Sequence, residues 1–145
     1  MNYCYKGVEF VNKQHRLMDV VTKESVPPPC DEALGITVTY AKNGIARGLW
    51  KVSEKMMNGN GVVMGGFISS AADSMMAYAI ASCVQEGQHF ASINLHTTFH
   101  RPAFIGEIEV EARVERIGKS IGYLVATLVQ EGKEIAAATS SVAIR

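Results

Sequence analysis

One segment, residues 64–84 (MGGFISSAADSMMAYAIASCV), restricts the possible folds more than any other part of the chain. It contains no proline and carries its glycines at its start, so it predicts a helix of roughly five to six turns at 3.6 residues per turn. Apolar or small side chains fall on nearly every face of this helix, and such a helix is buried on most sides. The rest of the chain must therefore wrap around it.

The chain after this helix changes to a period of two, which is typical of β-strands. Residues 91–101 and 107–117 alternate between apolar and polar side chains, and residues 121–130 and 134–144 predict two further strands. The turns between them are short, which indicates an antiparallel meander and at most four strands after the helix. We therefore predict an α+β domain in which a curved antiparallel sheet wraps around one long central helix.

Two strands are also predicted before the central helix. Residues 36–40 and 45–52 are separated by Asn43-Gly44, the strongest signal for a tight hairpin in the chain. These strands extend the predicted sheet on the N-terminal side of the helix.

The N-terminal part of the chain predicts a helix followed by a connector. Residues 8–23 place apolar side chains at roughly helical spacing, and three successive prolines at residues 27–29 end any helix and predict an extended connection. We expect a single domain over residues 1–145, with residues 1–30 as helix and connector and residues 34–145 as the core.

Charge and cysteine content exclude several classes of partner. Lys+Arg and Asp+Glu both number 14, so there is no basic field for nucleic acid, and self-association meets little electrostatic repulsion. No uncharged apolar stretch predicts a membrane span. The three cysteines are an odd number without close spacing, and the N-terminus has no signal-peptide pattern, so we expect reduced thiols and a cytoplasmic location.

Asp73 is the unusual residue of the central helix, because no other charged side chain occurs between Val62 and Val84. Burying a carboxylate costs several kcal/mol, of the order of a folding free energy, unless the group is hydrogen-bonded or paired. A purely structural interpretation would pair Asp73 with nearby Ser69 or Ser70, or expose it on a narrow solvent-facing side of the helix. The functional interpretation is a general base or a nucleophile.

Met64-Gly65-Gly66 opens the same helix, where free backbone N–H groups can bind an anion or the oxygen of a thioester carbonyl. A tight turn that needs glycine is the structural alternative. Gly65 and Asp73 are eight residues apart, roughly 12 Å along one helix. A site that uses both residues therefore needs two antiparallel copies of the helix, and predicts a two-fold symmetric dimer with two sites at its interface.

A spaced set of residues supports this interpretation: Asn58, Met64-Gly65-Gly66, Asp73, Ser92, Arg101-Pro102 and Gly106. Over about residues 34–144 the set resembles the hot-dog-fold acyl-CoA thioesterases of the phenylacetic-acid-degradation and 4-hydroxybenzoyl-CoA type. The family pattern is a loop Asn, His-Gly-Gly six residues later, and then an acidic residue on the central helix. Both spacings are matched here.

The resemblance implies a role for each matching residue. It implies that the Gly65 N–H binds the thioester oxygen, that Asp73 is nucleophile or general base, that Ser92 holds the water or the carboxylate, and that Asn58 assists. Met64 and Gly66 are further expected to contact the substrate. Arg101, Arg116 and Lys119 sit at predicted strand ends, where they are reasonable partners for the CoA phosphates, although single basic residues at turns are usually just solvated. The expected partners are acyl-CoA and a second copy of the chain, as a homodimer or a tetramer built from two dimers, with no cofactor.

One position departs from the family pattern, because Met64 occupies the place of the histidine before Gly-Gly. Methionine can neither donate a hydrogen bond through its side chain nor change charge. A second base at this position is therefore excluded, whereas the Gly65 N–H and Asp73 are unaffected.

Other functions remain open at this point. An enoyl-thioester hydratase or dehydratase would need an acid–base pair, usually with histidine, and His89, His96 and His100 lie in no convincing motif. Four residues along a strand separate His96 from His100 by roughly 13 Å, too far for one metal ion, so no metal site is expected. A non-catalytic acyl-CoA-binding protein is the second alternative, which Met64 makes more credible.

Overall fold

The computed structural model describes residues 16–145, which form a seven-stranded antiparallel sheet around one long helix. The helices are α1 Arg16–Val21, α2 Pro29–Leu34 and α3 Gly65–Ala81, with a 3-10 turn at Glu54–Met56. The strands are β1 Ile36–Lys42, β2 Ile45–Val52, β3 Phe90–Ser92, β4 His96–Phe99, β5 Gly106–Ile117, β6 Ile121–Gln130 and β7 Lys133–Ile144. None of the helices within residues 16–145 is long and apolar enough to cross a bilayer.

The central helix α3 is confirmed, and its apolar side chains form the middle of the core. It buries eight residues: Ile68, Ala71, Ala72, Met75, Met76, Tyr78, Ala79 and Ile80. The backbone of β2 approaches it closely, because a Cβ atom at Gly48 would lie 2.7 Å from Met75 Cε and 2.4 Å from the Thr37 carbonyl oxygen. The absence of a side chain at Gly48 allows the sheet to pack this closely against the helix.

The strands follow the order β1-β2-β5-β6-β7-β3, and β4 also pairs with β7. Neighbouring strands are antiparallel, and β5, β6 and β7 form the predicted meander. The predicted hairpin between β1 and β2 is confirmed, with Asn43 at φ 51° and Gly44 at φ 79°, as a tight type I′ connection requires. This sheet, curled around one helix, is the predicted α+β hot-dog fold.

The prediction of one strand over residues 91–101 was wrong, and five strands rather than at most four follow α3. The segment divides into β3 and β4, because Asn94 interrupts it. The Asn94 side chain accepts a hydrogen bond from the Ser141 N–H at 2.9 Å, and its carbonyl accepts one from the Ser140 hydroxyl at 2.8 Å. Both strands pair with β7 and lie along one edge of the sheet.

The N-terminal prediction was wrong at Pro29, which begins a helix instead of continuing an extended connector. Proline is compatible with the first position of a helix, because the N–H group of that residue has no hydrogen-bond acceptor within the helix. Helix α2 ends at Gly35, with φ 80°, and Trp50 Nε1 donates to the Leu34 carbonyl at 3.0 Å. The predicted helix over residues 8–23 is observed only from Arg16 to Val21, and residues 8–15 lie outside the described residues.

Candidate active site

Asp73 lies half-buried on α3 and meets Ser92 at the end of β3. The Ser92 hydroxyl donates a hydrogen bond to Asp73 Oδ1 at 3.3 Å. The nearby serines that could have paired with Asp73 are engaged elsewhere. Ser69 bonds Thr97 on β4 at 2.7 Å, and Ser70 donates to the Gly66 carbonyl at 2.8 Å. Neither serine therefore pairs with Asp73, and its partly exposed carboxylate is accessible to solvent or to a ligand.

Asp73 and Ser92 lie on a cleft of about 270 Å³ that is bounded by α1, α2, α3 and β3. Its wall is mixed. Ala77, Phe90 and Leu17 are among its apolar residues, and a group of polar side chains from α2 and α3 lines another part. A cleft of this size can hold a small organic group, since a cavity of about 150 Å³ already holds benzene. The carboxylate therefore faces a place where an acyl group fits.

Asp31 is a second carboxylate on the same cleft, and sequence reasoning missed it. It is buried, with 2% of its surface exposed, and its Oδ2 accepts a hydrogen bond from the Tyr78 hydroxyl at 2.6 Å. Its Oδ1 accepts a second hydrogen bond from the Ser74 hydroxyl. In the sequence, an acidic residue in the first turn of a helix indicates only a favourable dipole interaction, so no local signal revealed these contacts.

The surroundings of Asp31 shift two neighbouring groups. Burial, followed by the hydrogen bond to Asp31 and its charge, raises the pKa of Tyr78, so the phenol stays protonated and remains a donor. Burial and then the charge of Asp31 raise the pKa of the Cys30 thiol, which keeps it neutral. The donors around Asp31 are thus uncharged.

The N-terminus of α3 provides free backbone donors. Gly65 is the first helical residue, and Met64 precedes it in an extended conformation with ψ 132°. Within residues 16–145, the N–H groups of Gly65 and Gly66 meet no acceptor. The Phe99 ring of β4 covers Gly65 so closely that a Cβ atom there would lie 2.8 Å from its Cζ. These donors can bind an oxyanion.

Asn58 is held in the loop that leads to this helix end. Its Oδ1 accepts hydrogen bonds from the N–H groups of Asn60 at 2.9 Å and Val62 at 3.3 Å. A β-bridge between Met57 and Val63 closes the loop. The Asn58 side-chain NH₂ group meets no acceptor in the described part of the chain, so it can donate to a ligand.

These residues form two separate groups within one chain. Asp73 and Ser92 form the carboxylate half, and Asn58, Met64, Gly65 and Gly66 form the amide half. Eight residues of α3 separate Gly65 from Asp73, roughly 12 Å at 1.5 Å per residue. The structure does not bring the two halves together around one reacting carbon.

Arg101 and Lys119 are also separate within one chain. Arg101 donates from its backbone to the Ile135 carbonyl and from Nη1 to the Glu134 carbonyl at 2.8 Å, at the start of β7. Lys119 is exposed in the turn between β5 and β6. The carbonyl of the next residue, Ser120, accepts a hydrogen bond from the N–H of Ile144 at the end of β7. Nine residues of a strand span roughly 30 Å, so the two cations cannot bind the same phosphate from one chain.

The histidines do not form a metal centre in the part of the chain that the structure describes. His96 lies on β4 opposite Thr139, and His100 Nε2 lies 3.2 Å from Glu134 Oε1. Among residues 16–145, no three His, Cys, Asp or Glu side chains are placed to hold a metal ion.

This chain resembles thioesterases both in its sequence and in its structure. The family model described as Thioesterase superfamily matches residues 60–137. The acyl-coenzyme A thioesterase PaaI of Escherichia coli K12 is 32% identical over 109 residues, which cover 74% of this chain and 76% of that protein. The solved structure of the Escherichia coli PaaI protein superposes with a TM-score of 0.75 at 27% identity, covering 90% of this chain and 95% of PaaI.

A second solved structure is also similar. A phenylacetic acid degradation-related protein from Ralstonia eutropha JMP134 superposes with a TM-score of 0.83 at 26% identity. The superposition covers 88% of this chain and 98% of that protein. The residues matched by the family model include the central helix α3, with Gly65 and Asp73, and Ser92.

Proposed function

The chain belongs to the thioesterase superfamily, and we propose that it is a thioester hydrolase that cleaves acyl-CoA to a carboxylic acid and free CoA at sites formed between two copies of the chain. The observation that carries the proposal is the Asp73–Ser92 pair, which lies on a cleft large enough for an acyl group.

In this proposal Asp73 supplies the base or the nucleophile. As a general base, its carboxylate takes a proton from a water molecule whose oxygen attacks the thioester carbon. As a nucleophile, Asp73 forms an anhydride with the acyl group, which water then hydrolyses. In either case the C–S bond breaks, and the CoA thiolate leaves and takes up a proton. Ser92, which donates to Asp73 Oδ1, orients the carboxylate.

The amide half stabilises the negative oxygen that forms during the attack. The free N–H of Gly65 lies at the positive end of α3, where the helix dipole and the unpaired donors favour an oxyanion. Asn58 adds a side-chain donor next to this point. Met64 contributes apolar contact only, so the proposed chemistry depends on one carboxylate and on backbone donors.

The distance between the two halves supports a dimer. Because roughly 12 Å of helix separates Gly65 from Asp73, the carboxylate half of one chain must work with the amide half of another. A two-fold axis that sets two α3 helices antiparallel creates two such composite sites. The same axis brings the Arg101 end of one chain toward the Lys119 end of its partner, which suits a CoA molecule that lies across the interface.

The exposed edge of the sheet supports the same arrangement. Strands β3 and β4 lie at the edge beyond β7, and a strand edge offers unpaired N–H and C=O groups to a partner. Large apolar side chains are exposed along this edge: Ile93 at 56% and Phe99 at 52%, together with Met64 at 46% near the start of α3. Covering such side chains favours association.

The experiment that tests this proposal measures hydrolysis of short, medium, long and aryl acyl-CoAs by the purified protein. Loss of thioester absorbance and chromatography of free CoA are the readouts, because a thiol reagent would also react with the protein's cysteines. We expect turnover that the Asp73→Asn variant lacks, while its affinity for CoA is retained. CoA binding without turnover on any substrate would favour a binding protein instead, and product formation without thiol release would favour a hydratase.

A further inference from the structure

The buried carboxylate of Asp31 lies on the cleft that Asp73 faces, yet the proposed reaction does not use it. Two hydroxyl groups of α3 hold it: Tyr78, at 2.6 Å, on Oδ2, and Ser74 on Oδ1. Ser74 lies on the same helix as Asp73, so the helix that carries the reacting carboxylate also holds Asp31 at the wall of the cleft. Its position is built into the fold rather than left to a mobile side chain.

No positive charge compensates Asp31 in the described part of the chain. The third contact of its carboxylate is the Cys30 thiol, with Sγ 3.8 Å from Oδ1, and the ion pairs found within residues 16–145 involve other residues. Among residues 16–145, no Lys, Arg or His lines the cleft. The charged side chains of this part of the chain that line it are therefore Asp31 and Asp73, and both are acidic. Their fields add in a partly enclosed space where water screens them weakly.

We infer that Asp31 is a specificity-determining residue, whose fixed negative charge makes the cleft accept acyl groups with a neutral end and reject acyl groups that end in a carboxylate. This inference rests on the proposed function, because the acyl group must enter the cleft for its carbonyl carbon to reach Asp73. A neutral alkyl or aryl group packs against Leu17, Ala77 and Phe90 and pays no electrostatic penalty. A terminal carboxylate meets a like charge that cannot move away, because Tyr78 and Ser74 hold it.

The test compares two substrates that differ by one charge. Adipoyl-CoA ends in a carboxylate, and its matching ω-amide thioester has the same length and nearly the same shape. For the wild-type protein, kcat/KM is expected to be about tenfold or more higher for the amide than for the carboxylate. Two like charges a few ångströms apart at intermediate dielectric repel by roughly 1.4 kcal/mol or more, which corresponds to a factor of about ten. Spontaneous hydrolysis of each thioester is measured without protein and subtracted.

Two variants isolate the part of Asp31. Asp31→Asn removes the charge and keeps the shape, and Glu32→Gln removes the same charge from the next residue of α2, which is exposed. The amide-to-carboxylate ratio of kcat/KM is expected to fall about tenfold in Asp31→Asn and to stay unchanged in Glu32→Gln. A loss of packing or stability would lower both rates and would leave the ratio in place. If Asp31→Asn does not fold, Asp31→Ser serves as the neutral variant.

Each outcome decides the inference. Equal wild-type rates on both thioesters would overturn it, and so would a ratio that Asp31→Asn leaves unchanged or that Glu32→Gln lowers equally. In those cases hydrolysis of the amide thioester would still support the proposed function. No enzymatic hydrolysis of either thioester would overturn the inference, whereas the proposed function falls only if none of the acyl-CoAs of the panel is hydrolysed.

Discussion

Replacing Gly65 by proline removes one backbone N–H from the amide half with little other change to the helix. Gly65 is the first residue of α3, where proline is compatible with the helical backbone. A residue before proline must be extended, and Met64 already is, with φ −62° and ψ 132°. The Gly65 N–H has no acceptor in the described part of the chain, so its removal costs the fold no hydrogen bond.

Gly65→Ala is the matched control, because it adds the same Cβ atom and keeps the N–H. Both variants place that atom about 2.8 Å from Phe99 Cζ, so the ring must shift by a similar amount in each. Any cost from this contact is therefore largely shared by the two proteins. The difference between them reports the N–H as an oxyanion donor, which is worth about 2.7–4 kcal/mol in the transition state, or about 10²–10³ in kcat.

The assay measures kcat and KM of both variants on the best acyl-CoA of the panel, with thermal unfolding as a check on the fold. We expect Gly65→Pro to have a kcat at least about 100-fold below that of Gly65→Ala, with similar melting temperatures. Equal kcat values in two folded variants would refute the assignment of the Gly65 N–H to the oxyanion.

Two further perturbations test the carboxylate half and the contact between sheet and helix. Ser92→Ala is expected to lower kcat/KM about tenfold. A hydrogen bond to a charged group is worth about 1.5–3 kcal/mol, and the Ser92–Asp73 bond is long at 3.3 Å, so we take the lower end of that range. An unchanged kcat/KM would show that Ser92 is not part of the site. Gly48→Ala is expected to lower the free energy of unfolding by about 1–3 kcal/mol in urea denaturation, because its Cβ would lie 2.4 Å from the Thr37 carbonyl oxygen. The control is Gly59→Ala, whose Cβ would meet no atom within 4 Å, and it should change the free energy of unfolding by less than about 0.5 kcal/mol. Equal losses of stability in the two variants would refute the close-contact argument.

The parts of the fold that the sequence predicted are those with long, consistent patterns. The central helix has small and apolar residues over its whole length, and β5 alternates between apolar and polar residues over most of its 12 residues. The turn at Asn43-Gly44 could be predicted because both of its residues tolerate positive φ. The strand prediction failed at Asn94, whose hydrogen bonds to β7 involve residues more than 40 positions away.

The candidate site was predicted unevenly for the same reason. Asp73 stands out as the one charge of an apolar helix, whereas its partner Ser92 lies 19 positions away and was suggested only by resemblance to a family. Asp31 could not be found, because its contact with Tyr78 spans 47 positions and its helix begins at the last of three prolines that predict an extended chain. Pairings between distant segments depend on the packing of α2 against α3, which no local pattern reports.

The most direct test of the central claim, a site shared between two chains, mixes two impaired variants. Asp73→Asn lacks the carboxylate, and Gly65→Pro lacks the oxyanion donor, but a mixed dimer contains one site with both intact. After equal mixing and subunit exchange, half of the dimers are mixed, so the account predicts recovery to about a quarter of the wild-type activity. Mass spectrometry that shows mixed dimers, with activity no higher than that of the variants alone, would contradict the shared site.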